Sequence, residues 1–551
     1  MYIKDFAFDS NKITVYKDRF EMTKEGVTVF SFPVQCRIPT SENSDKDMFL
    51  SNPTVTETEG GFRFEWIAAS ELWHKKIYIL DIFQNCFYFR VKVYGNGNPE
   101  AIQFFMGAPD SSYPGSKYEV AGYALPEAAN FDRERMTRFI NHDCNIGMGF
   151  MTPPPFVYPF WTVGIKGWTG IGLIARKGQY NFNRFLYKNH NNRCHFEITL
   201  DGKTEVRGEW ESQGIWGGFA ESDTDAVKKY ADFNYEKGFC VRGKEEKYRW
   251  WKGPIYCGWG DQVETGGPQM NIDHKDAACQ QFYEKMSDRL DELDLHPTVM
   301  IIDDKWQGKY GELLPDPKKW HDMRAFTEAQ HAKGRKVVLW VKVWNSEGLD
   351  ADECLTLEQQ PYAADPTNPK YQKRLYETVR KLLSSEEGCF NCDGFKLDFV
   401  NCIFMNRNIS TYEKGVYGIE LVKRMMELFY NAAKAVKPDA LINNSCSHPY
   451  FAEITDQVRI HDYRDSMRSM MPVMQYRCEM FHAAMPHALI DTDSSNRSNY
   501  REAKEYCLRA VELGVPDIYM VGNSREFSFT EEDWAEIRKV WEEYSQKIEK
   551  E

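Results

Sequence analysis

The sequence predicts an N-terminal antiparallel β-sandwich over residues 1–245, followed by a (β/α)8 TIM barrel over residues 246–551. Three observations predict this fold class. The chain has 551 residues, which is too long for one ordinary domain of roughly 150 residues. Its first part is rich in short runs of β-branched and aromatic residues. After residue 255, strand-like and helical runs alternate, and this alternation is typical of a barrel of parallel strands.

The first part of the chain predicts many short strands. Turn clusters such as GNGNP (95–99) separate the runs, and no helical periodicity occurs until after residue 223. Short strands separated by turns are typical of antiparallel sheets packed as a sandwich. The segment 240–254 is charged, then aromatic, then broken by Gly-Pro, so it is the predicted join between the domains. The predicted strands include residues 13–16, 61–67, 76–80, 86–93 and 195–200.

The second part predicts eight strands and about eight helices. Its strand-like runs are almost continuously apolar, as expected for parallel strands buried on both faces. A doubly wound sheet is the alternative, but no glycine-rich phosphate fingerprint follows the first run. The interval between the fifth and sixth runs is short, so we expect a vestigial helix there. The strand-like runs are 255–260, 298–304, 336–344, 394–400, 440–446, 456–461, 487–493 and 517–523. The helical stretches include 273–295, 317–333, 369–384, 417–436 and 501–513, with a closing helix over 531–547.

Composition limits the class of protein. The chain is 42% hydrophobic and 27% charged, which indicates a globular protein with a sizeable core. It has no apolar run of about 18 residues, so we expect no membrane partner. Its formal net charge is −13, which disfavours nucleic acid as a partner because phosphate binding needs a basic face. Aromatic residues make up 15% of the chain and suit either sugar binding or a β-rich core.

Cysteine usage and the first residues predict a cytoplasmic protein. The start MYIKDFAFDSNK lacks the basic and apolar regions of a signal peptide. Fourteen cysteines are scattered without a repeating spacing. Cys389 and Cys392 form one CxxC, but no second pair stands at zinc-site spacing. We therefore expect reduced thiols and no metal site.

Polar and aromatic residues recur where the predicted barrel strands end. Chemistry in such barrels takes place at the C-terminal ends of the strands. Any one of these residues could be a helix cap or a solvated loop charge, but the whole set predicts an active site. The set comprises Trp259, Asp261, Asp303, Asp304, Trp306, Lys342, Trp344, Asn345, Lys396, Asp398, Asn401, Asn443, Asn444, Ser445, Cys446, Arg459, His461, Asp462, Asp491, Asp493 and Asn496.

The residue types in this set favour chemistry by paired carboxylates. A single histidine is too few for a zinc hydrolase, and no GxSxG elbow indicates a serine nucleophile. Glycoside hydrolysis uses one carboxylate as nucleophile and another as proton donor, and tryptophans can form the pocket walls. The residues alone also leave open a lyase that forms a Schiff base on Lys342 or Lys396.

Five sequence blocks, in this order, resemble the retaining α-glycosidase clan that includes the α-galactosidases (glycoside hydrolase families 27, 31 and 36). The α-galactosidase branch is the one they resemble most. The resemblance covers roughly residues 250–525 and implies a barrel preceded by a β-sandwich. Members of this branch usually carry a C-terminal β-domain, whereas here we expect only one closing helix. The blocks are IIDDKW (301–306), GRKVVLWVKVW (334–344), DGFKLDFV (393–400), LINNSCSH (441–448) and DQVRIHD (456–462).

The resemblance also implies catalytic roles. Asp398 would be the nucleophile, and the positive charge of Lys396 beside it would help to keep it ionised. Asp462 would be the acid/base. In the simpler α-galactosidases the acid lies four residues after the arginine, whereas Asp462 lies three residues after Arg459. Asp465 is therefore the alternative acid/base.

The remaining roles concern the sugar. By the same resemblance, Asp303 and Asp304 would bind the 4- and 6-hydroxyls of galactose, and Arg459 would contact the region of the 2-hydroxyl. Lys396 would bind another hydroxyl. The further candidates for substrate contact are Trp259, Trp306, Trp340, Trp344, Lys342 and Cys446.

The implied activity is retaining hydrolysis of a terminal α-linked sugar, first of all an α-galactoside, in an oligosaccharide or glycoside substrate. No metal or organic cofactor is required. The stretch SHPYFAE (447–453) replaces a glycine-rich stretch of the family, so an α-N-acetylgalactosaminide or an α-glucoside stays open. A transglycosidase, a catalytically silent carbohydrate-binding relative and a homo-oligomer also stay open.

Overall fold

The computed structural model has the predicted order of antiparallel sheets followed by a parallel barrel. It describes residues 1–108, 156–162, 165–190, 193–245, 247–266, 273–403, 405–460, 469–493 and 499–550, together with the backbone of four short strands between 116 and 146.

The N-terminal part consists of two antiparallel sheets. In the first sheet, the strands lie in the order Tyr2–Phe8, Asn11–Tyr16, Arg19–Lys24, Val27–Pro33, Ser116–Tyr118, Arg193–Thr199, Arg184–His190 and Cys144–Ile146, with Ala101–Phe104 also paired to Arg193–Thr199. In the second, the order is Thr137–Arg138, Gly122–Ala124, Val157–Thr162, Trp168–Ile174, Val206–Ala220, Cys86–Gly97, Lys75–Phe83, Gly61–Ser70 and Asp47–Leu50, with Thr54–Thr58 also paired to Gly61–Ser70.

Aromatic side chains fill the space between the two sheets. The ring of Phe20, from the first sheet, lies 4.8 Å from that of Phe87, from the second. Phe32 contacts the same Phe87 ring from a neighbouring strand at 5.6 Å. Buried and half-buried residues alternate along Arg19–Lys24, as expected for a strand with one face on a core. Much of the aromatic content of the sequence is therefore core.

Eight parallel strands form the barrel, in the spatial order in which they occur along the chain. Between the last two, Val515 donates its backbone N–H to Ile490 and Thr492 donates to Val515. These bonds complete the ring of strands after a short parallel bridge between Asp491 and Val515. The strands are Ile255–Cys257, Val299–Ile302, Lys336–Lys342, Gly394–Asp398, Leu441–Asn444, Gln457–Arg459, Leu489–Asp491 and Asp517–Ile518.

Helices surround the barrel in the intervals where the sequence predicts them. The interval after the fifth strand holds only the 3-10 helix Pro449–Ile454, where we predicted a vestigial helix. A small three-stranded sheet of Gln360–Ala364, Cys354–Leu357 and Ile409–Ser410 lies outside the barrel. The α-helices after the sandwich are Asp223–Glu236, Trp259–Thr265, Gln280–Glu292, Met323–Ala332, Pro369–Leu383, Gly418–Val436, Met470–Ala484, Tyr500–Arg509 and Glu531–Lys550.

The first barrel strand is shorter than its apolar run predicts. It ends at Cys257, and Trp259 begins a short helix instead of ending the strand. The helix fits because Gly260 packs against the eighth strand, where a Cβ atom would lie 2.1 Å from the carbonyl oxygen of Tyr519. Only glycine permits this approach of two backbones.

Helix Met470–Ala484, between the sixth and seventh barrel strands, is absent from the helical stretches that the sequence predicts. It packs between helices Asp223–Glu236 and Tyr500–Arg509 and is buried on almost every side. A helix of this kind lacks the amphipathic periodicity that predicts surface helices. None of the described helices, this one included, is long and apolar enough to cross a lipid bilayer.

A loop of the sandwich, residues 179–183, lies directly against the barrel. The ring of Tyr180 stacks on that of Tyr450 with centres 3.8 Å apart. The carbonyl oxygens of Phe182 and Tyr180 accept the backbone N–H groups of Ile419 and Glu420 in the first turn of helix Gly418–Val436. Helices begin with such unpaired N–H groups, so the sandwich supplies acceptors for this helix terminus. Gly418 has φ +59°, and a Cβ there would lie 1.9 Å from the oxygen of Phe182.

His448 connects the two domains as a neutral imidazole. Its Nδ1 accepts the backbone N–H of Tyr450 at 3.0 Å, so its Nε2 carries the proton. Nε2 lies 2.8 Å from the hydroxyl of Tyr230, which donates in turn to the carbonyl of Leu173. Burial lowers the pKa of His448 to about 3, because an imidazolium there would lose its hydration.

We expect the free energy of unfolding to decrease as the pH falls below about 6.5, which is the pKa of histidine in an unfolded chain. His448 is protonated more readily in the unfolded chain, so its contribution is complete above pH 6.5 and is lost as the pH approaches 3. Between pH 7 and pH 5 the loss should be about 2 kcal/mol. Thermal unfolding at the two pH values measures it. His448→Gln should reduce the pH dependence, whereas His296→Gln, at an exposed histidine, should not; equal pH dependence in both variants would contradict the assignment.

Candidate active site

The carboxylate of Asp398 lies at the exit of the fourth barrel strand, held by three N–H donors. Arg459 donates Nη2–H to Oδ1 at 2.7 Å, and the backbone N–H of Phe399 donates to the same oxygen at 2.8 Å. Trp340 donates its Nε1–H to Oδ2 at 3.0 Å. These donors favour the ionised carboxylate and fix its orientation. Asp398 keeps about one fifth of its side chain exposed, so a substrate can reach it.

The backbone after Asp398 turns sharply to make one of these contacts. Phe399 has φ +57°, a left-handed conformation that is rare for a residue with a large side chain. This turn aims the Phe399 N–H at the carboxylate of the preceding residue. Local strain of this kind occurs at functional sites, where the surrounding structure holds it.

Lys396 and Asp303 form a buried ion pair next to Asp398. The ammonium of Lys396 lies 3.0 Å from Oδ2 of Asp303, and both side chains are almost fully buried. The same ammonium contacts the hydroxyl of Tyr519 at 3.1 Å and Sγ of Cys257 at 3.4 Å. Burial by itself would lower the pKa of Lys396, but the charge of Asp303, together with smaller contributions from Cys257 and Asp493, more than offsets burial and raises the pKa well above its usual value. A lysine that stays protonated is a poor nucleophile, which argues against a Schiff base on Lys396.

Asp304 occupies the same strand exit but has a different environment. The hydroxyl of Tyr310 donates to its Oδ1 at 2.7 Å. Burial raises the pKa of Asp304 above its usual value, although the bond from Tyr310 and the charges of Lys275 and Lys342 oppose the increase. The two carboxylates therefore differ in their partners. Asp303 forms an ion pair with Lys396, whereas Asp304 accepts a hydrogen bond from a neutral hydroxyl.

Arg459 links Asp398 to a second carboxylate behind it. Its Nη1 donates to Asp493 Oδ2 at 3.0 Å, opposite the bond from Nη2 to Asp398. Deeper in the barrel, Asp491 accepts a hydrogen bond from the side chain of Asn443. Burial and the charge of Asp491 raise the pKa of the neighbouring Asp517 well above its usual value, which favours its neutral form.

The four candidate tryptophans differ in how much they can contact a substrate. Trp340 touches Asp398 directly, and the ring of Phe399 lies 6.0 Å from its own. Trp306 is fully buried and donates its Nε1–H to the carbonyl of Trp340, so it supports that residue from below. Trp344 is buried as well, and its Nε1–H is bound to a loop carbonyl, that of Val400. Trp259 is half-buried and packs edge-on against His274.

Lys342 and Cys446 lie at the exits of the third and fifth strands. The ammonium of Lys342 faces the rings of Tyr310 and Phe399 at 5.2 and 4.8 Å. Cys446 is fully buried, and burial raises the pKa of its thiol. The Cys446 thiol is therefore neutral and lies below the surface that a sugar would contact.

Three residues of the predicted set and the alternative acid/base Asp465 lie outside the described residues, so both acid/base candidates are among them. These four are His461, Asp462, Asp465 and Asn496. Arg459, three residues before Asp462, is described and points at Asp398.

Three residues that contact the site are missing from the predicted set. Tyr310 and Cys257 donate to the carboxylates of Asp304 and Asp303, and Tyr519 accepts a hydrogen bond from Lys396. Tyr519 follows the eighth strand directly, so its position at a strand exit could have revealed it. Tyr310 lies within a long loop, where no spacing predicts that its hydroxyl reaches Asp304. Cys257 ends the first strand, but an apolar run gives no sign that its thiol donates to Asp303.

Metal ligands are not grouped in the described part of the chain. No cluster of three or more histidine, cysteine, aspartate or glutamate side chains occurs there with a geometry that could hold a metal ion. The thirteen cysteines that the structure describes are all free thiols.

Comparison with known proteins shows a likeness in overall fold. No protein-family model and no curated protein matches the sequence. Among solved structures, a GH31 sulfoquinovosidase from E. rectale is similar over 97% of this chain and 82% of its own, with a TM-score of 0.60 and 11% identity. The GH36 alpha-galactosidase from Geobacillus stearothermophilus in complex with raffinose is similar over 99% and 86%, with a TM-score of 0.57 and 10% identity.

A third similar structure is the GH31 dextranase from Flavobacterium johnsoniae complexed with glucose, with a TM-score of 0.52 and 11% identity over 99% of this chain and 68% of its own. The chain shares the overall fold of these three structures. This confirms the predicted fold class, a β-sandwich followed by a (β/α)8 barrel. At about one identical residue in ten, the likeness concerns the fold, and the chemistry is argued from the residues of the site.

Proposed function

We propose that this protein is a retaining glycosidase of α-linked sugars, with Asp398 as the nucleophile. The observation that carries the proposal is the environment of Asp398, an accessible carboxylate at a barrel exit with three N–H donors and an ion pair beside it. A glycosidase nucleophile must be ionised and rigidly oriented, and these contacts supply both properties.

The first step forms a covalent glycosyl-enzyme. Oδ1 of Asp398 accepts hydrogen bonds from Arg459 and the backbone of Phe399, and Trp340 donates to Oδ2. We assign the attack on the anomeric carbon to Oδ2, which Trp340 orients. As the new C–O bond forms, the glycosidic C–O bond breaks, and a carboxylic acid transfers its proton to the leaving oxygen.

We assign that acid to Asp462, with Asp465 as the alternative. Both follow Arg459 in sequence, and Arg459 points at Asp398 from the exit of the sixth strand. In the second step, the resulting carboxylate takes a proton from water. The hydroxide oxygen then bonds to the anomeric carbon and displaces Asp398, which restores the starting state with net retention.

For the sugar, we propose galactose first, held through its 4- and 6-hydroxyls by Asp304 and Asp303 with Lys396. A paired and a singly bound carboxylate next to each other offer several acceptors to adjacent hydroxyls. The similar structures include an alpha-galactosidase, a dextranase and a sulfoquinovosidase. An α-glucoside or an α-N-acetylgalactosaminide is therefore the alternative substrate of the same mechanism.

A panel of nitrophenyl α-glycosides, followed by NMR, tests this proposal. We expect cleavage of the α-galactoside, with the sugar released first as the α-anomer. Cleavage of a different α-sugar would keep the mechanism and change the specificity assigned to Asp303 and Asp304. Initial release of the β-anomer would overturn the double displacement, because a single displacement inverts the anomeric carbon.

A further inference from the structure

The loop after the second barrel strand closes on itself around Tyr310. The backbone N–H of Gly308 donates to the carbonyl of Leu314 at 3.1 Å, and that of Asp316 donates to the carbonyl of Trp306 at 3.1 Å. These two bonds join the arms of the loop on either side of Tyr310. A loop closed in this way has fewer conformations than an open one of the same length, so the position of Tyr310 is defined.

Glu347, in the loop after the third strand, fixes the same turn from outside. Its Oε2 accepts the backbone N–H of Tyr310 at 3.0 Å, and its carbonyl accepts the backbone N–H of Gly311 at 3.0 Å. The same carboxylate pairs with Lys305 at 3.1 Å. Bonds to two consecutive N–H groups set the direction of the backbone at Tyr310, and therefore the direction in which its side chain leaves the loop.

Three neighbours restrain the ring of Tyr310. Nζ of Lys305 lies 4.0 Å from the centre of the ring, and Nζ of Lys342 lies 5.2 Å from it. The ring of Trp340 lies 6.1 Å away, inclined at 62°. With backbone and ring both held, the hydroxyl reaches Oδ1 of Asp304 at 2.7 Å. Because the tyrosine is already ordered, this hydrogen bond costs little side-chain entropy.

The hydrogen bond from Tyr310 affects the charge of Asp304 as well as its orientation. Burial raises the pKa of Asp304 above its usual value, and the charge of Asp303 adds to the rise. The bond from Tyr310 is the largest influence in the opposite direction, ahead of the charges of Lys275 and Lys342. A donor of this kind stabilises the ionised carboxylate, which is a stronger acceptor for a sugar hydroxyl than the neutral acid.

We infer that Tyr310 is a positioning residue of the glycosidase: its hydroxyl holds Oδ1 of Asp304, so that Oδ2 accepts a hydroxyl of the bound sugar. Tyr310 acts through Asp304 and needs no contact of its own with the substrate. The inference rests on the proposed function for the location of the sugar. It adds a loop residue to a sugar-binding set whose other members lie at strand ends.

Deoxy sugars test whether Tyr310 acts through Asp304. Tyr310→Phe keeps the ring and removes only the hydroxyl, so we expect the fold to be retained and kcat/KM on the nitrophenyl α-galactoside to fall about 10-fold. One of the 4-deoxy and 6-deoxy α-galactosides lacks the hydroxyl that Asp304 binds, and on that one the fall should be less than about 2-fold. If the panel selects glucose, the corresponding deoxy glucosides are used. An equal fall on the parent and both deoxy sugars would overturn the inference.

The titration of Asp304 is a second test and needs no sugar. In carbon-13 spectra of the whole protein labelled at aspartate, the Asp304 carboxyl is the signal missing from Asp304→Asn. We expect its pKa to be higher in Tyr310→Phe, because the removed bond favours the ionised form. Activity that requires ionised Asp304 is lost as the pH falls through this pKa, so the acid limb of kcat/KM should move to higher pH. An unchanged pKa would contradict the inference.

Tyr500→Phe is the matched control. Tyr500 also donates its hydroxyl to an aspartate, Asp533 on the closing helix, at 2.9 Å. Its removal should change neither the pKa of Asp304 nor the ratio of kcat/KM between the parent and deoxy sugars. A change of either quantity in Tyr500→Phe as large as that in Tyr310→Phe would count against a specific role of Tyr310.

The hydrolysis panel separates this result from the proposed function. A higher pKa of Asp304 in Tyr310→Phe, without cleavage of any nitrophenyl glycoside, would support the action of Tyr310 on Asp304 and count against the glycosidase. Cleavage at the same rate by wild type and Tyr310→Phe would support the glycosidase and count against the positioning role.

Discussion

Asp398→Asn should lower kcat/KM on any cleaved α-glycoside by about 10,000-fold while leaving the fold intact. The amide has the shape of the carboxylate and can still accept hydrogen bonds from Arg459 and the backbone of Phe399. It cannot form the glycosyl-enzyme, so the loss falls on the covalent step itself. Initial rates of the purified wild type and variant measure kcat/KM, and circular dichroism shows whether the variant keeps the fold.

Azide distinguishes a nucleophile from a residue that merely holds Arg459. In Asp398→Ala, azide can enter the vacated space and attack the anomeric carbon in place of the carboxylate. We expect partial recovery of activity and a β-glycosyl azide as the product. Asp493→Asn is the matched control, since Asp493 binds the other side of the same guanidinium. If azide rescued both variants equally, or neither, Asp398 would not be the nucleophile.

Lys396→Met should be the most destabilising single change in the site. It leaves the carboxylate of Asp303 buried, with only the thiol of Cys257 and the backbone N–H of Asp304 as donors. Removing one partner of a buried ion pair costs about 3–5 kcal/mol, which corresponds to a fall of about 6–10 °C in the midpoint of barrel unfolding. Differential scanning calorimetry at pH 8 measures the fall.

The double variant Lys396→Met with Asp303→Asn shows whether the cost comes from an unpaired charge. Replacing both partners removes the charge, so we expect the double variant to unfold at a higher temperature than Lys396→Met alone. Arg509→Met removes an exposed ion pair with Glu505 and should cost less than about 1 kcal/mol. A double variant less stable than the single one would show that Lys396 acts through packing.

The barrel could be predicted from the sequence because its signals are local. Each of the eight predicted runs contains a strand of the structure, since a strand buried on both faces needs an unbroken apolar run. The residues at the run ends then fall at one rim, which brings Asp398, Lys396 and Arg459 together. Helix Met470–Ala484 was harder to predict because burial on all sides removes the periodicity that marks a helix.

The contacts within the site could not be predicted in the same way. Lys396 lies two residues before Asp398 on the same predicted strand. The sequence therefore suggests that the charge of the lysine keeps the carboxylate of Asp398 ionised. In the structure the ammonium of Lys396 pairs with Asp303, and Arg459 supplies the charge on Asp398. Which carboxylate a lysine reaches depends on the tilt and stagger of neighbouring strands, and an apolar pattern carries no information about either. Tyr310 is a similar case, since a loop conformation decides where its hydroxyl lies.

The loop at residues 179–183 has a consequence for the order in which the chain is made. The sandwich leaves the ribosome well before residues 418–436, and domains commonly begin to fold in that order. The acceptors of Tyr180 and Phe182 are then already in position when the first turn of helix Gly418–Val436 emerges. The N-terminal sheets thus offer a preformed docking surface to the interval between the fourth and fifth barrel strands. A change in that loop would slow the maturation of the protein without touching any residue at the strand exits of the barrel.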